Sequence, residues 1–154
     1  MTTWPRPPSL STASEARPDL EVLDETSCWS LLGEAPVGRI AVTTPDGTVL
    51  VLPVNFVVEG RAVIFRTAPG AALDHIGDRS VTFQADGVDP WHHTGWSVLA
   101  HGPATVEEAP ADDDTAPEPW AGRHRRTLVR IHVKRITGRV LRPAVQEWDT
   151  RGYL

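Results

Sequence analysis

The chain has 154 residues, a formal net charge of -5 and charged residues at 23%. That length suits one domain hiding about 68–70% of its unfolded surface, enough for a core without staples. The acidic balance argues against nucleic acid as a partner, the single cysteine cannot close an internal disulfide, and no apolar run reaches the roughly 20 residues of a membrane helix.

Residues 1–20 read as a disordered tail, with Pro5, Pro7, Pro8 and Pro18 among Ser, Thr and Ala. They lack the charged, apolar, small-residue order of a secretory signal, so a cytoplasmic setting is expected. Leu23 to Leu32 predicts a short helix, with Asp24 as its cap and Gly33 as its stop. Cys28, Leu31 and Leu32 share one side of it and should face the core, where the thiol would be inert.

From Gly38 the apolar period changes to that of strands. Ile40 and Val42, then Val49, Val51, Val54 and Val57, then Val63 and Phe65 mark three strands. Pro45-Asp46-Gly47 and Glu59-Gly60-Arg61 supply the turns between them. Ala71 to Ile76 suits a brief helix ending at Gly77. Ser80 to Ala85 predicts a fourth strand, Asp86 to Thr94 a loop, and Trp96 to Glu107 a long fifth strand bent near Gly102-Pro103. Ala109 to Gly122, acidic and proline-rich, reads as a loop or insert. Leu128 to Val140 alternates as a sixth strand that runs toward a seventh near Val140-Leu141. Residues 21–142 would form the domain and 143–154 a C-terminal tail. Antiparallel strands at this spacing with few helices imply a barrel or a sandwich.

The chemistry concentrates around two of these strands. Leu52 to Val58 is an apolar strand interrupted by Pro53 and Asn55, and Val63 to Thr67 ends in Arg66 and Thr67. A buried carboxamide needs a partner, so Asn55 is either a structural hydrogen bond or a ligand contact. A cation, a hydroxyl and free N–H groups at a strand exit describe a candidate cradle for a phosphate. The neighbouring strand would offer main-chain groups to a flat ring. A phosphorylated flat cofactor, a flavin foremost, is the ligand this pattern suggests. His92, His93 and His101 raise a metal alternative, but neighbouring strand residues point apart and no ligand spacing is completed. Arg123 to Arg126 is a basic cluster, read as a solvated loop or as a reach to a phosphate across a dimer. Asp112-Asp113-Asp114 reads as solvated loop.

In order along the chain, Pro36-Val37-Gly38-Arg39-Ile40-Ala41-Val42, Pro53-Val54-Asn55-Phe56-Val57-Val58, Phe65-Arg66-Thr67-Ala68-Pro69-Gly70, Phe83-Gln84-Ala85-Asp86 and Thr94-Gly95-Trp96-Ser97-Val98 resemble the pyridoxamine 5'-phosphate oxidase-like proteins, the FMN-binding split-barrel family. The resemblance spans Asp24 to Leu141 and is nearest to small actinobacterial-type members. It implies a mainly β fold, a six-stranded antiparallel split barrel with a few short helices. It implies a homodimer with two flavin sites at the subunit interface, each holding FMN or, in some branches, F420. By the same resemblance Val54, Asn55 and Phe56 would line the ring, Arg66 and Thr67 would meet the phosphate, and Trp96 and Ser97 would contact the cofactor from the fifth strand.

The resemblance further implies an oxidoreductase in which a substrate or a nicotinamide stacks on the open ring face. The Gly87–Gly95 loop, with Trp91, His92 and His93, is a candidate wall there. The family places a lysine or arginine where this chain has Ala72. A lost charge-assisted contact costs on the order of 1.5–3 kcal/mol. Arg66, Arg79 or a partner's Arg123–Arg126 segment would have to compensate. The alternative is a non-catalytic flavin, haem or nucleotide carrier or sensor with a weakened or lost cofactor site. Trp148 and Arg151 recur only loosely from the substrate segment of the oxidase itself, so pyridoxamine phosphate is not the expected substrate.

Overall fold

The computed structural model describes residues 20–68, 73, 76, 77, 79–109, 117, 120 and 127–142. Its elements are β1 (Glu21–Leu23), α1 (Glu25–Glu34), β2 (Val37–Thr43), β3 (Val49–Glu59), β4 (Ala62–Thr67), β5 (Ser80–Asp89), β6 (Thr94–Glu108), β7 (Thr127–His132) and β8 (Arg135–Leu141). Neighbouring strands are antiparallel in the order β1-β8-β6-β5-β2-β3-β4-β7, and a β6–β7 pairing closes the ring. Six strands, β2 to β7, form a barrel, while β8 and β1 extend the sheet from β6.

This closure rests on β6, whose 15 residues serve three neighbours. Along one edge Thr94 to Pro103 pairs with β5. Along the other, Gly95 to His101 pairs with β8 and Ala104 to Glu108 with β7. The partner changes at Gly102-Pro103, where the sequence predicts a bend. A Cβ on Gly102 would stand 2.0 Å from the His132 carbonyl oxygen, so only glycine lets the β7–β8 corner cross there. The crossing is pinned by Lys134 N–H donating to His101 O at 2.8 Å and Val133 N–H donating to Arg61 O at 3.0 Å.

The barrel interior holds the inward residues of all six strands. Phe56 and Phe83 meet edge to face with centroids 4.7 Å apart. Val63, Phe65, Val98, Val129 and Ile131 are fully enclosed. Gly38 makes room for the Phe83 ring, whose Cζ would lie 2.2 Å from an added Cβ. Helix α1 packs Cys28, Leu31 and Leu32 inward, as its spacing predicts. It approaches β8 closely at Gly138, where an added Cβ would meet Cys28 Sγ at 2.7 Å. Burial raises the Cys28 thiol pKa, which suits an unreactive core residue. Asp24 caps the helix by accepting from Ser27 N–H at 2.7 Å, and those bonds hold its carboxyl below the ordinary range. Arg61, in the β3–β4 turn, pairs with Glu25 and lies 5.7 Å over the Trp29 ring, tying the helix to the barrel.

Several predicted boundaries shift. The helix starts at Glu25, because Leu23 joins the short strand β1, which the sequence reading did not separate. It runs through Gly33 to Glu34. Ala35 is the C-cap and donates to Leu32 O, so Gly33 needs no left-handed conformation. Among the described residues the left-handed glycines are Gly47 and Gly60, in the two predicted turns. Strand β5 continues to Asp89, which shortens the predicted Asp86–Thr94 loop to Pro90–His93. The single sixth strand predicted over Leu128–Val140 is two strands. Burial falls on Val129, Ile131 and Val133 before Lys134, then on Gly138 and Val140 after it, so the inward parity flips at the corner. The predicted Ala71–Ile76 helix and both tails lie outside the described residues, apart from the exposed Leu20 and from Leu73 and Ile76, whose side chains are buried in the core.

The crowding at Gly102 predicts that Gly102→Ala destabilises by about 1–3 kcal/mol, since the backbone it meets must shift. Gly33→Ala, in open space within a helix, should stabilise by about 0.5–1 kcal/mol. Urea unfolding midpoints of the two variants check both signs.

Candidate functional site

Strand alternation divides the candidate residues between two faces. Val54, Phe56 and Trp96 point into the barrel core. Thr67, 4% exposed, follows Val63 and Phe65 to that side. Asn55, Arg66 and Ser97 lie on the outer face and are partly exposed. The predicted meeting of an arginine and a hydroxyl side chain therefore does not form within β4: neighbouring residues leave the strand in opposite directions. Asn55 and Arg66 each lie one residue beyond the last β3–β4 pair. Phe56 stands opposite Phe65 as the final pair of the β3–β4 register, so Asn55 and Arg66 flank the point where the two strands part.

The same step is where β3 changes partner. It pairs with β4 from Phe56 to Glu59 but with β2 from Val49 to Asn55. Along Val49–Asn55 no other described strand covers the side facing away from β2. Pro53 is tolerated there because an edge does not require its missing N–H. Among the described strands this leaves an unpaired main-chain edge ending at Asn55, next to the exit of β4. Across it lies Trp120, whose N–H donates to Asn55 Oδ1 at 3.4 Å. The outer face below is closed by a second apolar cluster of Ala62, Ile64, Ala109 and Leu128, against which Val57 packs. Arg66 thus leaves a wall that is apolar on one side and open to the β3 edge on the other.

Ser97 belongs to a different part of this outer face. Its hydroxyl accepts from Gln84 Nε2 at 3.4 Å, and Gln84 Oε1 accepts from Arg39 Nη1 at 3.3 Å. Arg39 also pairs with Asp86 at 3.0 Å. These residues form a polar network over β6, β5 and β2. Ser97 sits three strands from Asn55, on the order of 14 Å at usual strand spacing. Within one chain it does not join Asn55 and Arg66. Sequence reasoning did not single out Arg39, Gln84 and Asp86 individually. Their signal was the polar residue at every second position between inward Gly38, Ile40, Phe83 and Ala85.

Trp96 carries the one buried side-chain polar atom without a partner among the described residues, its indole Nε1. The Pro90–His93 turn projects Trp91 into solvent at 91% exposure. Asp89 holds that turn: Oδ1 accepts from the N–H groups of Trp91 and His92 at 3.0 and 3.1 Å, and Oδ2 bonds His92 Nδ1 at 2.6 Å. The His92 contact is the largest cause lowering the Asp89 carboxyl pKa. His93 takes a left-handed φ of 51°, which lets the short turn close. Among the described residues no three His, Cys, Asp or Glu side chains are grouped to hold a metal ion. No described helix is long and apolar enough to cross a membrane. Ala72 and the Arg123–Arg126 segment lie outside the described residues.

Comparison with known proteins gives one consistent picture. A family model described as pyridoxamine 5'-phosphate oxidase matches residues 24–140. An uncharacterised protein of Mycobacterium tuberculosis is 30% identical over 142 residues, 86% of this chain and 92% of that protein. A solved structure of an FAD binding protein from Mycobacterium smegmatis is 36% identical, with 80% of this chain and 100% of that chain covered and a TM-score of 0.63. A putative pyridoxamine 5'-phosphate oxidase from Corynebacterium glutamicum is 30% identical, covering 84% and 98%, with a TM-score of 0.64.

The orphaned indole yields a stability test. Trp96→Phe removes an unsatisfied donor, worth about 1–3 kcal/mol, while losing packing of similar size. The variant should unfold within about 1 kcal/mol of the parent in urea; a larger loss would mean that Nε1 is bonded.

Proposed function

The chain belongs to the pyridoxamine 5'-phosphate oxidase-like family, and from that premise we propose that it binds a flavin at the open β3 edge and acts as an oxidoreductase. The observation that carries this reading is the parting of β3 from β4 beside Asn55 and Arg66. An uncovered strand edge presents alternating N–H and C=O groups, which suit the alternating donors and acceptors on the polar rim of a flavin ring. Asn55 adds a carboxamide at the end of that edge. Arg66 supplies a guanidinium for the phosphate, the pairing in which arginine excels. Thr67, turned inward, contributes by fixing the strand exit rather than by its hydroxyl.

A bound flavin supplies hydride or electron transfer, and the protein supplies placement and electrostatics. The β3 edge holds the ring in register and the apolar wall at Ile64 keeps water from one side. A nicotinamide or a small organic substrate would stack on the remaining face. FMN is the form to test first. FAD, for which the M. smegmatis relative is named, and F420 are its competitors. The single buried thiol of Cys28 accords with a reducing, cytoplasmic setting.

The working unit we propose is a homodimer. Val49, Val51, Val88 and Leu99 lie exposed on the outer sheet face, an apolar set a monomer would not favour. Ser97 shares that face. A second copy stacked there would bring the Ser97 network to the other chain's β3 edge and complete the site. A second reading, a carrier or sensor without turnover, is favoured by Ala72, where the family has a cation.

Titration with FMN, FAD and F420, followed by intrinsic fluorescence and melting temperature, tests flavin binding; no response to any of them ends the proposal. Arg66→Ala should weaken binding about ten- to a hundredfold, and Ala72→Lys should tighten it by a similar factor. Reduction of the bound flavin by a nicotinamide, with reoxidation by an acceptor, separates enzyme from carrier. Sedimentation should give twice the chain mass, and the paired change Val51→Asp with Leu99→Asp should give monomer with an unchanged circular dichroism spectrum.

A further inference from the structure

A second cleft opens where the β2–β3 hairpin meets the start of β5, a cavity of about 230 Å³. None of Asn55, Arg66, Thr67 or Ser97 lines it. Its polar lining is Arg79, Thr43, Ser80 and Thr82; Ala41 and the exposed Val49 supply apolar surface on the same face, and the buried Val42, Ile76 and Val81 lie behind it. Among the described residues no carboxylate lines it. Arg39, Arg61, Arg130 and Arg142 are each paired with an acid. The Arg79 side chain, by contrast, has no hydrogen bond or ion pair among the described residues.

The stem carrying that guanidinium is fixed at both main-chain groups. Arg79 N–H donates to Ile76 O at 2.9 Å, and Arg79 O accepts from Ala104 N–H at 3.0 Å. Thr82 Oγ1 lies 3.0 Å from His101 Nδ1. When His101 donates in that contact, the Thr82 proton is free to turn toward the cleft, and an anion there selects that tautomer. A free guanidinium with three hydroxyls and no acid is a donor set for a phosphate. The volume falls below the range of drug-sized pockets, which limits the ligand to a small molecule.

We propose that this cleft binds a small organic phosphate, its phosphate group on Arg79, Ser80 and Thr82 and its apolar body against Ala41 and Val49, which share the outer face with those hydroxyls. The cleft meets the proposed flavin edge at Val49 but includes none of Asn55, Arg66, Thr67 or Ser97.

Calorimetry with inorganic phosphate, phenyl phosphate and phenol tests the assignment at matched ionic strength. Phenyl phosphate should bind at least tenfold more tightly than either inorganic phosphate or phenol, because only it engages both donors and wall. Arg79→Gln, at an exposed position, should weaken phenyl phosphate about tenfold or more and leave the melting temperature unchanged. FAD and FMN titrations of that variant distinguish two sources of the phosphate. A free ester leaves both affinities unchanged, whereas the adenylate end of a dinucleotide weakens FAD alone. Phenyl phosphate binding no tighter than phenol, or equally tight in Arg79→Gln, overturns the proposal.

Discussion

One crossing holds the architecture together: the backbone of β6 at Gly102 passing against the His132 carbonyl, where any side chain would collide. Before this point β6 shares its edge with β8; after it, with β7. A strand edge can satisfy only one neighbour at a time, so the sheet must divide where the neighbour changes. That division lets one long strand close a barrel and extend a flat sheet. The pins from Lys134 and Val133 keep main-chain groups satisfied through the crossing, where regular ladders stop.

The same rule, one strand for each edge segment, creates the candidate site. Strand β3 runs past the end of its pairing with β4 and leaves main-chain groups along Val49–Asn55 with no described strand on that side. An uncovered edge is a liability for aggregation and an opportunity for a ligand. Here it ends beside a guanidinium and a carboxamide. The outer sheet face carries exposed valines and Leu99 around the network of Arg39, Gln84, Asp86 and Ser97. In the homodimer we propose, that mixture of apolar surface and fixed polar groups would offer a second copy both burial and register.

Much of this was legible in the residues. Period-two valines and isoleucines marked β2 to β6, because a half-buried strand must alternate. Gly47 and Gly60 marked their turns, and both take the left-handed conformation. Asp24 announced the start of α1. Its end was misread at Gly33, since a glycine at an exposed helix position satisfies the same pattern as a terminating one. The β7–β8 corner was missed although Ile136, Gly138 and Val140 shift parity after Val133. An alternating string looks continuous unless its inward residues are followed across Lys134. At the site, Asn55 stood out as an amide in an apolar strand. The split of Arg66 from Thr67 followed from strand alternation, but their adjacency in sequence suggested the opposite.

Local chemistry thus determined, from the sequence alone, which segments are strands, where the hairpins turn, which face of α1 is buried, and which few polar residues interrupt apolar runs. Those properties depend on neighbours a few residues away. Tertiary structure alone decided that β3 outruns β4, that Ser97 stands three strands from Asn55, that Arg39 reaches Gln84 and Asp86, and that Arg79 joins three hydroxyls at one cleft. Each of these depends on register between segments distant in the chain, and register is set by the packing of a whole core rather than by any stretch of residues within it.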